Sequence, residues 1–159
     1  KFAGDGYWND PDMLVTGEQG LTYEQQKAHF ALWCIMSSPL FLGNDPRNMT
    51  EEEKRIILNE NAIAVNQSSF EQGRRVKKVG DLEVWAKKLN QKEYAVLLLN
   101  RSLKTDADIS FNISDLGASA NFYVTEIYSG NHLGRFEETF SKRVKPQESL
   151  FLLVSDLKE

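Results

Sequence analysis

The sequence predicts two kinds of architecture in tandem, parallel β/α units first and an antiparallel β-sandwich after them. Three observations predict this. Residues 7–66 alternate turn-rich segments, helices opened by capping signals and one short apolar run, in the order loop, helix, strand, loop, helix. From residue 74 onward, seven short β-rich runs recur about every 8–14 residues with turn signals between them and no helical stretch. Between the two lies a polar stretch, Gln67-Ser68-Ser69 and Gln72-Gly73, with linker composition.

The first helix is predicted from Thr22 to Ser37. Thr22-Tyr23-Glu24-Gln25 is a capping box, in which hydroxyl and amide side chains satisfy each other's orphan backbone N–H groups. Its second half, Phe30 to Met36, is apolar on every side, which suits a helix buried between layers. Pro39 ends it. Leu40-Phe41-Leu42, bounded by Pro39 and Gly43, reads as a buried parallel strand, with Phe41 and Trp33 as core residues. Gly43-Asn44-Asp45-Pro46 is turn chemistry. Thr50-Glu51-Glu52-Glu53 is a second capping box, with a helix to about Leu58 turning Ile56, Ile57 and Leu58 inward, and Ala62–Val65 as an apolar link. Nothing else in this first region offers its helices a surface to pack on, so it reads as an incomplete domain truncated at its start.

The seven β-runs are Arg74–Val79, Leu82–Lys88, Tyr94–Asn100, Asp106–Asn112, Phe122–Tyr128, Gly134–Phe140 and Ser149–Val154. Their aromatics (Phe111, Phe122, Tyr123, Tyr128, Phe136, Phe140 and Phe151) mostly alternate with polar residues, as core positions do. Trp85 is expected to pack rather than present a sugar platform. Arg74-Arg75-Val76-Lys77-Lys78 lacks stacking aromatics and reads as an edge strand protected by charge.

Composition excludes several classes. A net charge of −4 argues against nucleic acid or an anionic membrane surface as partner. No apolar run approaches the roughly 20 residues that span a bilayer. His29 and His132 are far apart and the single Cys34 sits in an apolar run, so no metal site is expected and Cys34 reads as an inert packing residue. No cofactor is expected. Four Asn-x-Ser/Thr triplets, at Asn48, Asn66, Asn100 and Asn112, hint faintly at a secreted eukaryotic protein, although Asn66 and Asn100 fall where strand ends are expected. A secreted, periplasmic or lysosome-like location is slightly favoured over a cytoplasmic one. One thiol leaves the compartment open.

The chemistry concentrates in Tyr7-Trp8-Asn9-Asp10-Pro11-Asp12-Met13. Pro11 disfavours helix at Asp10, and an extended segment lets Asp10 and Asp12 share a face. Carboxylates beside an indole and a thioether suit a sugar, whose ring face packs on apolar groups while its hydroxyls donate to acceptors. This motif, with Ala31-Leu32-Trp33, Ser38-Pro39-Leu40-Phe41-Leu42-Gly43-Asn44-Asp45 and Ile63-Ala64-Val65-Asn66-Gln67 in order, closely resembles the C-terminal part of the α-galactosidases of glycoside hydrolase family 27. The likeness is strong over residues 7–67 and continues from Leu82 to about Val154. It departs at Ser68-Ser69-Phe70-Glu71, where the family usually has Asp-Pro-Leu-Gly.

That resemblance implies the fold: residues 1–66 as the last quarter of a (β/α)₈ barrel, 67–73 a linker and 74–159 the C-terminal β-sandwich. It places Tyr7–Met13 after barrel strand 7, among the loops where such barrels build active sites. It implies a retaining glycosidase removing terminal α-linked galactose, or alternatively an α-N-acetylgalactosaminidase or β-L-arabinopyranosidase. A non-catalytic carbohydrate-binding sandwich is the reading from another class. Retention needs a nucleophile and an acid/base on opposite sides of the glycosidic bond. By the resemblance both lie upstream, on barrel strands 4 and 6, so no catalytic residue is expected in this chain, which alone would be inactive. Asp12 and Met13 are the implied substrate-binding residues, with Trp8, Asn9 and Asp10 supporting the loop. The implied partners are an α-galactoside and the rest of the barrel.

Overall fold

The computed structural model of the protein describes residues 3, 7–118 and 121–156. The expected outer bounds, Lys1 and Glu159, lie outside them. Helix α1 (Tyr23–Ile35) opens on the predicted box: Thr22 Oγ1 accepts from Gln25 N at 3.2 Å and Gln25 Oε1 accepts from Thr22 N at 2.8 Å. Asp45 caps a 3₁₀ turn (Pro46–Asn48), and the Thr50/Glu53 box opens α2 (Glu51–Ile57). Of the three residues expected inward on α2, Ile56 is buried, Ile57 is half-buried and Leu58 is 65% exposed. Successive helical residues are about 100° apart, so three in a row cannot share one face.

The apolar link Ala62–Val65 is instead part of a third helix, α3 (Glu60–Gln67). Asn59 Oδ1 caps it by accepting from Ala62 N at 2.9 Å, while Ala62 and Val65 turn inward. The expected strand at Leu40–Leu42 shrinks to a single parallel bridge between Leu14 and Leu42. Phe41 is 82% exposed rather than in the core, because among the described residues no further strand lies beside that bridge.

Among the described residues the sandwich has eight strands: β1 (Arg74–Val79), β2 (Leu82–Lys88), β3 (Glu93–Asn100), β4 (Ala107–Asn112), β5 (Phe122–Glu126), β6 (His132–Phe136), β7 (Thr139–Val144) and β8 (Ser149–Asp156). Six form an antiparallel sheet in the order β1-β2-β3-β8-β5-β6, and β4 pairs with β7 in a second sheet. The run Gly134–Phe140 is therefore two strands in different sheets, with the crossing at Glu137-Glu138. The crossing seats Phe136 edge-on against Phe140, ring centroids 4.9 Å apart. The basic run forms β1, at the sheet edge and largely exposed, as predicted.

The large sheet is covered on both faces. Toward the small sheet, Val84, Val96, Leu98, Phe122, Leu152 and Val154 pack with Ile109, Phe111 and Phe140. On the other face, Ala95, Leu97 and Phe151 pack with Phe30, Cys34, Ile35 and Val65 of the helices. Burial on both faces explains why Ala95-Val96-Leu97-Leu98 is a continuous apolar run. The all-round apolar α1, expected to lack a partner within the chain, thus finds one in the outward face of the sheet.

Residues 67–73, expected to be flexible, are instead well tied down. Gly73 N donates to Ile35 O at 2.8 Å, Ser68 Oγ to Leu89 O at 3.0 Å, and Glu71 Oε1 accepts from Lys88 N at 3.0 Å. A Cβ on Gly73 would sit 2.5 Å from the Ile35 carbonyl oxygen, so this close approach requires glycine.

Two charged side chains of β2 are buried, and the first of them joins the layers. Lys87 is fully buried and its Nζ donates to the carbonyls of Val65 (2.5 Å) and Asn66 (3.2 Å) near the C-terminus of α3. Glu83 is 2% exposed and accepts from Trp85 Nε1 (2.8 Å), Arg75 (3.0 Å) and Arg101 (3.2 Å). Burial pushes the Glu83 carboxyl upward, but the bonds from Trp85 and Arg101 and the charges of Arg75 and Arg101 outweigh it, holding it below the usual glutamate value.

Candidate functional site

The motif loop is anchored at one end by Asn9. Its N (3.2 Å) and Nδ2 (2.9 Å) donate to Gln72 Oε1, while Gln72 Nε2 donates back to Asn9 O (2.9 Å) and to Met36 O (2.5 Å). One amide therefore ties the loop to the end of α1 and to the entry of β1. Trp8 and Asp10 line a cleft of about 390 Å³ together with Ser37, Ser38, Pro39 and Leu40 on one side and residues 66–69 on the other.

Asp10 and Asp12 do not share an extended face. Asp12 has φ 79°, the left-handed region, and its N–H donates to Asp10 Oδ1 at 2.9 Å. This is an Asx-type turn, which competes locally with the extended conformation that Pro11 favours. One oxygen of the Asp10 carboxylate holds this turn, and both aspartates are exposed. Met13 is 50% exposed, and its Cε lies 2.5 Å from where a Cβ on Gly43 would be. Gly43 thus leaves the room that Met13 occupies, and Gly43 N donates to Leu14 O at 2.8 Å just behind it.

Several residues that hold this region carry no motif signal in the sequence. His29 Nε2 accepts from Val15 N at 3.0 Å and its ring stacks on Trp33 at 4.1 Å. Burial lowers the His29 pKa and a hydrogen bond with the Met13 backbone partly opposes this, leaving it below 6.5. Gln26 accepts from Gly17 N at 2.9 Å and donates to Glu53 at 3.0 Å. Neither was legible beforehand, because a histidine or glutamine within an apolar helix signals only burial. Asp45 behaves as a turn residue, its carboxylate taken by Arg47. Asn44 is half-buried against Gly17, and its amide has no hydrogen-bond partner among the described residues. No group of three His, Cys, Asp or Glu side chains among the described residues is placed to hold a metal ion. No described helix is long and apolar enough to cross a membrane.

A loop beside a parallel bridge, followed by helices and then an antiparallel sandwich, is the arrangement of the end of a β/α barrel joined to a C-terminal β-sandwich domain. Residues 1–68 match the family model described as alpha galactosidase A, and residues 79–154 match the alpha galactosidase C-terminal beta sandwich domain. The chain is 40% identical to alpha-galactosidase 2 of Arabidopsis thaliana over 136 residues, 81% of this chain and 34% of that protein. It is 38% identical to an alpha-N-acetylgalactosaminidase of Gallus gallus over 133 residues, 81% of this chain and 33% of that protein. The crystal structure of alpha-galactosidase I from Mortierella vinacea superposes with a TM-score of 0.89 at 31% identity, covering 97% of this chain and 41% of that one. The chain belongs to the α-galactosidase family, glycoside hydrolase family 27. It spans about a third of the length of these curated relatives.

Proposed function

We propose that this chain is the pocket-wall and sandwich portion of a retaining α-galactosidase, which releases terminal α-linked galactose by double displacement. Residues 1–66 are assigned to the barrel, 67–73 to the linker and 74–159 to the sandwich. Asp12 and Met13 are the sugar-contacting residues, the carboxylate accepting from hydroxyls and the thioether packing on the ring. Trp8, Asn9 and Asp10 hold the loop that presents them. The nucleophile and acid/base are assigned to the remainder of the barrel, which would seat along the Leu14–Leu42 bridge and cover Phe41. The observation that supports this assignment is the shape of the motif: Asp10 Oδ1 holds the turn by accepting from the Asp12 N–H, and Asp12 and Met13 stand exposed at that turn.

The test is Asp12→Ala in the whole protein that contains this chain, assayed on an aryl α-galactoside. Loss of one charge-assisted hydrogen bond of about 1.5–3 kcal/mol lowers kcat/KM by roughly 10- to 150-fold. Turnover indifferent to the substitution would refute the role of Asp12.

A second sugar is favoured by one specific observation, the likeness to the Gallus gallus alpha-N-acetylgalactosaminidase. Aryl α-N-acetylgalactosaminide and β-L-arabinopyranoside assayed beside the galactoside decide among the three. The sandwich as a sugar-binding module is disfavoured, since Phe111, Phe122, Phe140 and Phe151 are all buried.

A further inference from the structure

The four Asn-x-Ser/Thr triplets occupy two opposite environments. Asn66 is 6% exposed, and its Nδ2 donates to Ser38 O at 2.8 Å and to Trp33 O at 3.3 Å, joining α3 to the end of α1. Its Oδ1 accepts from Gln67 Nε2 at 2.7 Å. Asn100 is fully buried, and its Nδ2 donates to Thr105 O at 2.8 Å and to Val144 O at 2.9 Å, closing the end of β3 on the end of β7. In both, the two N–H bonds of one amide hold two separate segments together.

Asn48 and Asn112 are the reverse. Asn48 ends the exposed 3₁₀ turn and its side chain makes no hydrogen bond among the described residues. Asn112 ends β4 on the outer, two-stranded sheet and is exposed. Its Oδ1 accepts from Thr139 Oγ1 at 2.7 Å, which leaves Nδ2 directed to no protein acceptor among the described residues.

N-glycosylation joins Nδ2 to the anomeric carbon of a sugar held on a polyprenyl diphosphate. The C–N bond forms as the C–O bond to the diphosphate breaks; the amide gives up one proton, and the polyprenyl diphosphate leaves. One N–H then remains, and a bulky hydrophilic group stands on the nitrogen. At Asn112 the surviving carbonyl keeps its bond from Thr139, and at Asn48 nothing is lost. At Asn66 or Asn100 one of two buried carbonyls loses its donor and the glycan has no exit. We infer that Asn48 and Asn112 are acceptor sites for N-linked glycan when the chain is made in an N-glycosylating secretory compartment, and that glycan at Asn66 or Asn100 is incompatible with the fold. This assignment is independent of the sugar hydrolysed.

The whole protein that contains this chain, secreted from a eukaryotic host behind a cleavable signal, is deglycosylated with peptide N-glycosidase in ¹⁸O water and the folded fraction is mapped by mass spectrometry. Labelled aspartate at positions 48 and 112, with unmodified asparagine at 66 and 100, is the expected result. Label at 66 or 100, or its absence at 48 or 112, overturns the assignment. The fold requirement is read separately on the same whole protein made in a bacterial host lacking N-glycosylation. Asn48→Gln and Asn112→Gln are expected to move Tm by less than about 2 °C, and Asn66→Gln and Asn100→Gln to lower it by several times that. Equal tolerance at all four positions would equally overturn it.

Discussion

Lys87 offers the sharpest test of how the helical layer is fastened to the sandwich. It is fully buried on β2 and its ammonium caps the last carbonyls of α3. Burial lowers its pKa from 10.5 to about 8, although the neighbouring Cys34 and Glu71 pull the other way. The unfolded chain keeps this proton up to its ordinary value, while the folded chain releases it near 8. Between those two values the unfolded state binds more protons, so stability rises with pH. Integrated from about pH 7 to about pH 9.5, the gain is about 2 kcal/mol. Cys34 is kept a neutral thiol in the fold because burial pushes its pKa far up. In the unfolded chain it ionises from about its ordinary value of 9, so by pH 9.5 it offsets about 1 kcal/mol of the Lys87 gain. Tyr128, also raised by burial, acts in the opposite sense as its unfolded form ionises, which sets the upper end of the window below pH 10. Lys87→Met removes two charge-assisted hydrogen bonds but also the cost of burying the charge, so the net loss at neutral pH is about 1–3 kcal/mol. The assay is urea unfolding followed by tryptophan fluorescence at the two pH values, for both proteins. The expected result is a stability increase with pH in the parent that Lys87→Met lacks; the same slope in both would refute the placement of Lys87.

Two further outcomes follow from the same coordinates. His29 is held neutral below its ordinary value, so the unfolded chain takes up a proton first as pH falls through 6.5, and stability drops there; an imidazole resonance of His29 titrating at or above 6.5 would contradict this. Phe111 is fully buried between Phe122 and Phe140, with centroids at 6.0 and 5.7 Å, so Phe111→Ala is expected to cost about 3–5 kcal/mol by denaturant unfolding, and a loss under about 1 kcal/mol would contradict its core position.

Local signals in the chain were reliable where the deciding interaction is itself local. Thr22/Gln25 and Thr50/Glu53 close their boxes within four residues, and both helices begin where those pairs place them. Leu82–Lys88 and Arg74–Val79 are strands with the bounds their patterns implied. The motif Trp8–Met13 was legible as a unit because its residue types are rare together. Its internal geometry was not: Pro11 argues for extension, yet a hydrogen bond to Asp10 turns Asp12 to positive φ. Gln72 sits 63 residues from Asn9, and no periodicity relates the two.

From its residues alone this chain declared its family, its capped helices, most of its strands and the loop that carries its chemistry, because each depends on side chains near one another in sequence. Only the folded arrangement decided that α1 packs on the outer face of the sheet, that Gly134–Phe140 divides between two sheets, and that Phe41 stands exposed. It alone decided that Lys87 and Glu83, which look like surface charges, are buried, Lys87 against the end of α3 and Glu83 among side chains of its own sheet. These depend on which distant surfaces meet, and burial is a property of the neighbour as much as of the residue.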